Sequence, residues 1–138
     1  MIVVFDTSVV IQAMFWQRST GRRCFVGVAR RRFKVAVSAA VLLEYERTAA
    51  ILRAERFPDA NPAGMLGWLA RLALYVEPVS LRGRLSRDAK DNVFVATALA
   101  AQATHLITQD RDLLDLGKPF GVSIVTPTEF LRDFERLF

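Results

Sequence analysis

The sequence predicts an α/β fold: a three-layer α/β/α sandwich with a mainly parallel five-stranded central sheet. Three observations carry that expectation. Short apolar runs recur along the chain with helical patterns between them, the order that parallel strands joined by crossover helices produce. The first run, Ile2-Val3-Val4-Phe5, is rich in β-branched residues and does not alternate, which marks a strand buried on both faces. Of the 138 residues 52% are hydrophobic, which argues against disorder and suffices for one domain, residues 1–138, around one substantial core.

The elements follow in order. After the strand over residues 2–5, Asp6-Thr7-Ser8 ends it and leads into a helix over Val9 to Phe15. Ser19 or Thr20 can cap a second helix running toward Arg31. Phe33 to Val37 is the second strand, and Ser38 is a good cap for a helix through about Ala54. Pro58, Asn61 and Pro62 mark a break before a helix over Ala63 to Leu74. Tyr75 to Val79 reads as a short third strand, which Pro78 confines to an edge or an early stop. Residues 80–87 form a loop, and Asp88 to Ala103 a helix. His105 to Thr108 is the fourth strand, Asp110 to Leu114 a helical turn, and Val122 to Val125 the fifth strand. Pro127 opens a last helix capped by Thr126. In such a fold, sites form beyond the C-terminal ends of the strands.

The formal charge is +5, and the excess lies in the first half. Residues 1–69 carry 10 Lys/Arg against 5 Asp/Glu, while residues 70–138 carry 9 of each. Arg18, Arg22, Arg23, Arg30, Arg31, Arg32 and Lys34 follow one another without an intervening acid. That run suits an anionic partner, nucleic acid being the commonest, or simply a solvated face. No apolar stretch approaches the roughly 20 residues of a membrane span. The first residues lack a basic n-region, and the lone Cys24 cannot form an internal disulfide. The setting expected is reducing and cytoplasmic.

Four acids stand where strands end or helices begin, and each has a plainer alternative. Asp6 follows an uncharged strand at its C-terminal end. It could cap the next helix, although Ser8 could supply that cap itself and leave Asp6 free. Glu44 lies one turn from Ala40, Val41, Arg47 and Thr48, so it faces inward over the sheet edge or pairs with Arg47. Helical phase alone does not choose between Glu44 and Glu46. Asp88 and Asp91, three apart, share one side of a helical turn, where capping or the helix dipole would also explain them. Asn92 adds a polar group beside them. Asp110 and Asp112 follow another buried run, with the Thr108 hydroxyl at the same edge, and Asp112 could cap the short turn. Converging carboxylates repel one another unless a cation offsets their charge. All-oxygen donors suit Mg²⁺ or Mn²⁺.

Other chemistries lack their parts. One histidine, His105, and one cysteine exclude a usual structural zinc site within one chain, and His105 is expected to pack or cap locally. There is no phosphate-binding Gly-rich loop followed by Lys and Ser/Thr, no G-x-G-x-x-G, and no serine in a nucleophile elbow. Two further readings of the same acids stay open. One is a metal-dependent phosphatase or phosphotransferase with Asp6 as nucleophile, against which Ser8 stands where a second acid would normally follow. The other is a catalytically silent binding module.

Val4-Phe5-Asp6-Thr7-Ser8, Leu43-Glu44, Asp88-Ala89-Lys90-Asp91-Asn92 and Thr108-Gln109-Asp110-Arg111-Asp112-Leu113, in that order and strand context, resemble the PIN-domain ribonucleases. Among these the chain resembles especially the small toxins of type II toxin–antitoxin pairs. The resemblance spans essentially the whole chain. It departs from the family pattern at Ala89, where proline is frequent, and at Leu113, where phenylalanine is. It implies a PIN-like fold and a Mg²⁺- or Mn²⁺-dependent endoribonuclease that leaves 5′-phosphate and 3′-hydroxyl ends. The implied catalytic and metal-holding residues are Asp6, Glu44, Asp91 and Asp110, which also favours Glu44 over Glu46. Ser8, Asp88, Asn92, Thr108 and Asp112 are implied as supporting residues. Arg82, Arg84, Arg87, Lys90 and Arg111 would meet RNA near the acidic edge, with Arg18 and Arg22 extending the track. The resemblance further implies a homodimer and a small protein antitoxin. Helices carrying Met14, Phe15, Trp16, Phe25 and Val26, or Met65, Leu66, Trp68 and Leu69, could supply an apolar interface.

Overall fold

Three consecutive residues of the first strand, Val3, Val4 and Phe5, are fully buried. Successive side chains on a strand point to opposite faces, so both faces of the sheet are covered at this point. The structure, a computed structural model, describes residues 1–80 and 92–137, with side chains through residue 135. Its strands are β1 (Ile2–Phe5), β2 (Lys34–Val37), β3 (Leu74–Tyr75), β4 (His105–Ile107) and β5 (Ser123–Val125). They form one sheet in the order β3-β2-β1-β4-β5, and every neighbouring pair is parallel. Val3 aligns with Val35 on one side and His105 on the other, and Phe5 aligns with Ile107. The chain steps outward from β1 to β2 and β3, then returns to build β4 and β5 on the other side. The strand order therefore reverses between β1 and β4, where such sheets open a crevice at their C-terminal ends.

Helices α1 (Thr7–Phe15), α2 (Thr20–Ala29), α3 (Ala39–Arg56), α4 (Pro62–Leu72), α5 (Asn92–Ala100), α6 (Arg111–Leu114) and α7 (Pro127–Leu137) connect and cover the strands. Ser19 caps α2 by accepting from the Arg22 amide, and Ser38 caps α3 by accepting from Val41. Thr126 opens α7: its hydroxyl accepts from the Glu129 amide and donates to the Glu129 carboxylate. Across the core, Phe5 stacks on Phe25 of α2 at 5.3 Å between centroids, and Tyr45 of α3 lies against Phe94 of α5. Among the described residues no helix is long and apolar enough to cross a membrane.

The boundaries differ from the sequence expectation in instructive places. α1 starts at Thr7, immediately after Asp6, rather than at Val9. β3 is Leu74–Tyr75 rather than Tyr75–Val79. It is an edge strand, and the chain leaves the sheet after Val76, so that the Val79 amide donates to Ala96 in α5. α5 stops at Ala100, three residues early, because Gln102 adopts a left-handed φ of 53°. There the Ala103 and Gln102 amides close back on Ala98 and Leu99. α2 ends the same way, with Arg31 at φ 57° and the Arg32 amide bonded to Gly27. The loop expected over 80–87 and the helix start expected at Asp88 lie outside the described residues, apart from residue 80 itself.

Candidate active site

Asp6 leaves β1 at its C-terminal end, held by its own amide bonded to the Ile107 carbonyl of β4 at 2.9 Å. The residue is only 5% exposed. Burial raises its pKa, and hydrogen bonds from Thr108 and Ser8 oppose that shift, as do the Thr7 and Ser8 amides. Both hydroxyls donate to the same oxygen, Oδ2, Thr108 at 2.7 Å and Ser8 at 2.8 Å. Asp6 stands at the cap position of α1 without making a side-chain cap hydrogen bond. The alternative in which Ser8 caps that helix is corrected as well. Ser8 is the second residue of α1, its hydroxyl points at Asp6, and it accepts from the Gln109 amide at 3.0 Å.

Thr108 is fully buried and joins two acids. Its Oγ1 donates to Asp6 and accepts from the Asp110 amide at 2.8 Å. Asp110 in turn caps α6, its Oδ1 accepting from the Asp112 amide at 2.8 Å. The cap of that short turn is thus Asp110, not Asp112. A continuous polar line runs from β1 to α6 across the switch point: Ser8, Asp6, Thr108, Asp110.

α3 approaches the same edge. Its fully buried stripe is Val41, Tyr45 and Ala49 at intervals of four, and the Tyr45 hydroxyl donates to the Phe5 carbonyl, one residue before Asp6. Nothing in the sequence argument singled out Tyr45, although the Val41-Tyr45-Ala49 spacing was a usable signal for it. Burial and the nearby Asp6 charge push the Tyr45 hydroxyl well above its ordinary pKa, so it stays a donor. Glu44, next to it, is half-buried and lies 3.7 Å from the exposed Arg47, whereas Glu46 is exposed.

Among the described residues no three Asp, Glu, His or Cys side chains gather closely enough to hold a metal ion. Asp88 and Asp91 lie outside the described residues, as do Arg82, Arg84, Arg87 and Lys90. Asn92 begins the described part of α5 and is half-buried. The donors present are hard oxygens, and Asp6 has no ion-pair partner among the described residues, a fit for a divalent cation rather than a thiophilic metal. His105 packs edge-on against Phe130 and shares a hydrogen bond with Thr104. Burial pushes the Cys24 thiol up to about 12, which removes it as a nucleophile at neutral pH.

The basic and apolar surfaces divide by location. Arg111 is exposed at the start of α6, beside Asp110. Arg18 lies beyond the far end of α1, a helix of nine residues and so about 13 Å long at ~1.5 Å per residue. Arg22 donates through Nε to the Ala13 carbonyl at that same end. Phe25 and Leu69 are core residues, while Trp16 and Val26 are exposed. A groove of about 330 Å³ between α2 and α4 is lined by Phe25, Val26, Met65 and Trp68.

A family model described as "PIN domain" matches residues 2–112. No curated protein matches the sequence significantly. Among solved structures the fold is similar to VapBC2 from Rickettsia felis, bound to a DNA fragment from its promoter. That match has TM-score 0.59 and 13% identity, over 90% of this chain and 97% of that one. It is also similar to VapBC-1 from nontypeable Haemophilus influenzae, with TM-score 0.56 and 13% identity over 93% and 99% of the two chains. PAE2754 from Pyrobaculum aerophilum matches with TM-score 0.55 and 20% identity, over 95% and 87%.

Proposed function

The chain belongs to the PIN-domain family, a family of nucleases, and from that premise we propose that it is a Mg²⁺- or Mn²⁺-dependent endoribonuclease, the toxin of a toxin–antitoxin pair. The observation that carries the reading is the buried Asp6 carboxylate at the switch point, tied through Thr108 to Asp110. In this proposal Asp6, Glu44, Asp91 and Asp110 hold the cation. When bound, it activates water and offsets charge on the phosphoryl oxygens. Ser8 and Thr108 keep Asp6 in one rotamer, and Tyr45 fixes the end of β1 from which it projects. Asp88, Asn92 and Asp112 support the acids. Arg111, with Arg82, Arg84, Arg87 and Lys90, counters the repulsion between an acidic centre and RNA phosphates. The products are 5′-phosphate and 3′-hydroxyl ends.

The likeness to VapBC assemblies supports a small protein antitoxin as partner, and the groove between α2 and α4 offers it an apolar surface. A homodimer is part of the same proposal. The test is cleavage of RNA by the purified, antitoxin-free chain with Mn²⁺ or Mg²⁺. Asp6→Asn and Asp91→Asn should each fold normally and lose activity. Cleavage that continues unchanged in excess EDTA would reject the metal dependence, and cleavage of DNA alone would reject the RNA assignment. A phosphorylated Asp6 with no nucleic acid cut would point to phosphoryl transfer instead.

A further inference from the structure

Arg30, Arg31 and Arg32 have no role in the centre just described, and the structure sets them apart from it. Lys34 aligns with Ile2 at the start of β1, four residues before Asp6, or about 13 Å along the strand at ~3.3 Å per residue. Arg30, Arg31, Arg32 and Lys34 are therefore at the amino edge of the sheet, away from the acids. All four are exposed, and none makes an ion pair among the described residues. The nearby acid Glu135 is taken up by Arg23 at 3.0 Å.

Beside this turn is a crevice of about 190 Å³ between α2 and α7. At ~30 Å³ per water it has room for about six waters, or one heterocyclic ring. Arg30 and Arg32 line it together with Phe33 and Phe134, and the ion-paired Arg23 and Glu135 line it as well. Gly27 leaves the space that lets Phe33 in, since a Cβ there would stand 2.5 Å from the Phe33 ring. Arg32 lies over the Phe134 ring, 5.3 Å from its centroid. A planar guanidinium already seated on an aromatic ring is a surface on which an unpaired base can stack, while its neighbours meet phosphates.

We propose that the α2–α7 crevice and its arginine turn form a second RNA contact, which takes one unpaired nucleotide of a single strand whose cleavage site is at the opposite edge of the sheet. The proposal rests on the ribonuclease reading and extends it. A single strand fits better than a duplex because only unpaired bases offer a free face to Arg32.

Fluorescence anisotropy of the full chain with a short labelled single-stranded RNA, in EDTA and across a salt series, tests it. Replacing Arg30, Arg31 and Arg32 together by Gln should weaken binding at least about tenfold. It should also flatten the salt dependence by about 1.4, at ~0.7 for each phosphate contact on a single strand, since Arg30 and Arg31 meet phosphates while Arg32 stacks. Arg32→Lys keeps the charge but removes the planar layer, and should weaken RNA binding while leaving duplex DNA binding unchanged. Unchanged affinity and salt slope in the triple variant would overturn the proposal. So would duplex DNA losing as much as RNA, or polyglutamate displacing RNA at equal charge, which would assign the crevice to an acidic protein segment. Cleavage in Mn²⁺, read in parallel, separates the two readings. RNA held through the arginines but never cut sinks the nuclease and leaves the crevice standing. RNA cut and bound by the triple variant as by the parent sinks the crevice and leaves the nuclease.

Discussion

The two edges of one parallel sheet are built by different means. At the carboxyl edge, Asp6, Thr108 and Ser8 are buried or half-buried polar groups, fixed by side-chain hydrogen bonds across β1 and β4. At the amino edge, the chain turns from α2 into β2 and from α5 into β4 through backbone closures, with Arg31 and Gln102 in left-handed conformations. The first edge places charge where solvent cannot stabilise it, and the second keeps its charges in water. Substitutions at the carboxyl edge should therefore change chemistry and stability together, while those at the amino edge should change stability and binding without touching the chemistry.

The largest loss of stability is expected from Thr108→Val. It keeps the shape, removes a donor from Asp6 and leaves the Asp110 amide without its acceptor. We expect a loss of about 2 kcal/mol in urea unfolding and a fall in cleavage of about 100-fold, since a misplaced catalytic group costs that much. A variant as active as the parent would break the comparison at its centre. Asp6→Asn should separate the two properties. Burial works against the carboxylate's charge, and an amide oxygen can accept both hydroxyls. In EDTA at neutral pH the variant should be more stable by about 1–2 kcal/mol, and Mn²⁺ should raise the melting temperature of the parent only.

Gln102→Gly should stabilise the chain by about 0.5–1 kcal/mol by relieving a left-handed conformation at a helix end, with cleavage unchanged. A change in cleavage would show that the amino edge reaches the site. The smallest effect concerns His105, whose pKa burial lowers, with Asp133 opposing and Lys118 assisting. The unfolded chain takes up that proton near pH 6.5 and the folded chain only below it, so stability should fall as the pH drops through and below 6.5. His105→Gln should make the urea midpoint fall less steeply between about pH 7.5 and about pH 5.5, one unit either side of histidine's ordinary value.

Much of the fold was legible because its signals are local. The unbroken run Ile2–Phe5, the caps Ser19, Ser38 and Thr126, and Pro78 at an edge each act over a few residues. What was missed depends on partners distant in sequence. The end of α5 turns on a left-handed Gln102, a conformation the residue type does not announce. Ser8 looked like a cap because its partner Gln109 is 101 positions away. Tyr45 was passed over, since only the folded chain brings its hydroxyl to the Phe5 carbonyl. Asp110 was legible as a strand-end acid, but not as the cap of its own turn while Asp112 competed for that part.

The bond between Thr108 and Asp6 spans 102 positions of sequence. A ribosome adding roughly 5–20 residues per second needs on the order of 5–20 s to make the second partner after the first. Until then the carboxylate at residue 6 has neither the Thr108 hydroxyl nor its β4 neighbour. A nascent chain thus cannot assemble this edge while most of it is still being made. Under the ribonuclease reading proposed above, no cleavage can begin before residue 108 has been made and has reached Asp6.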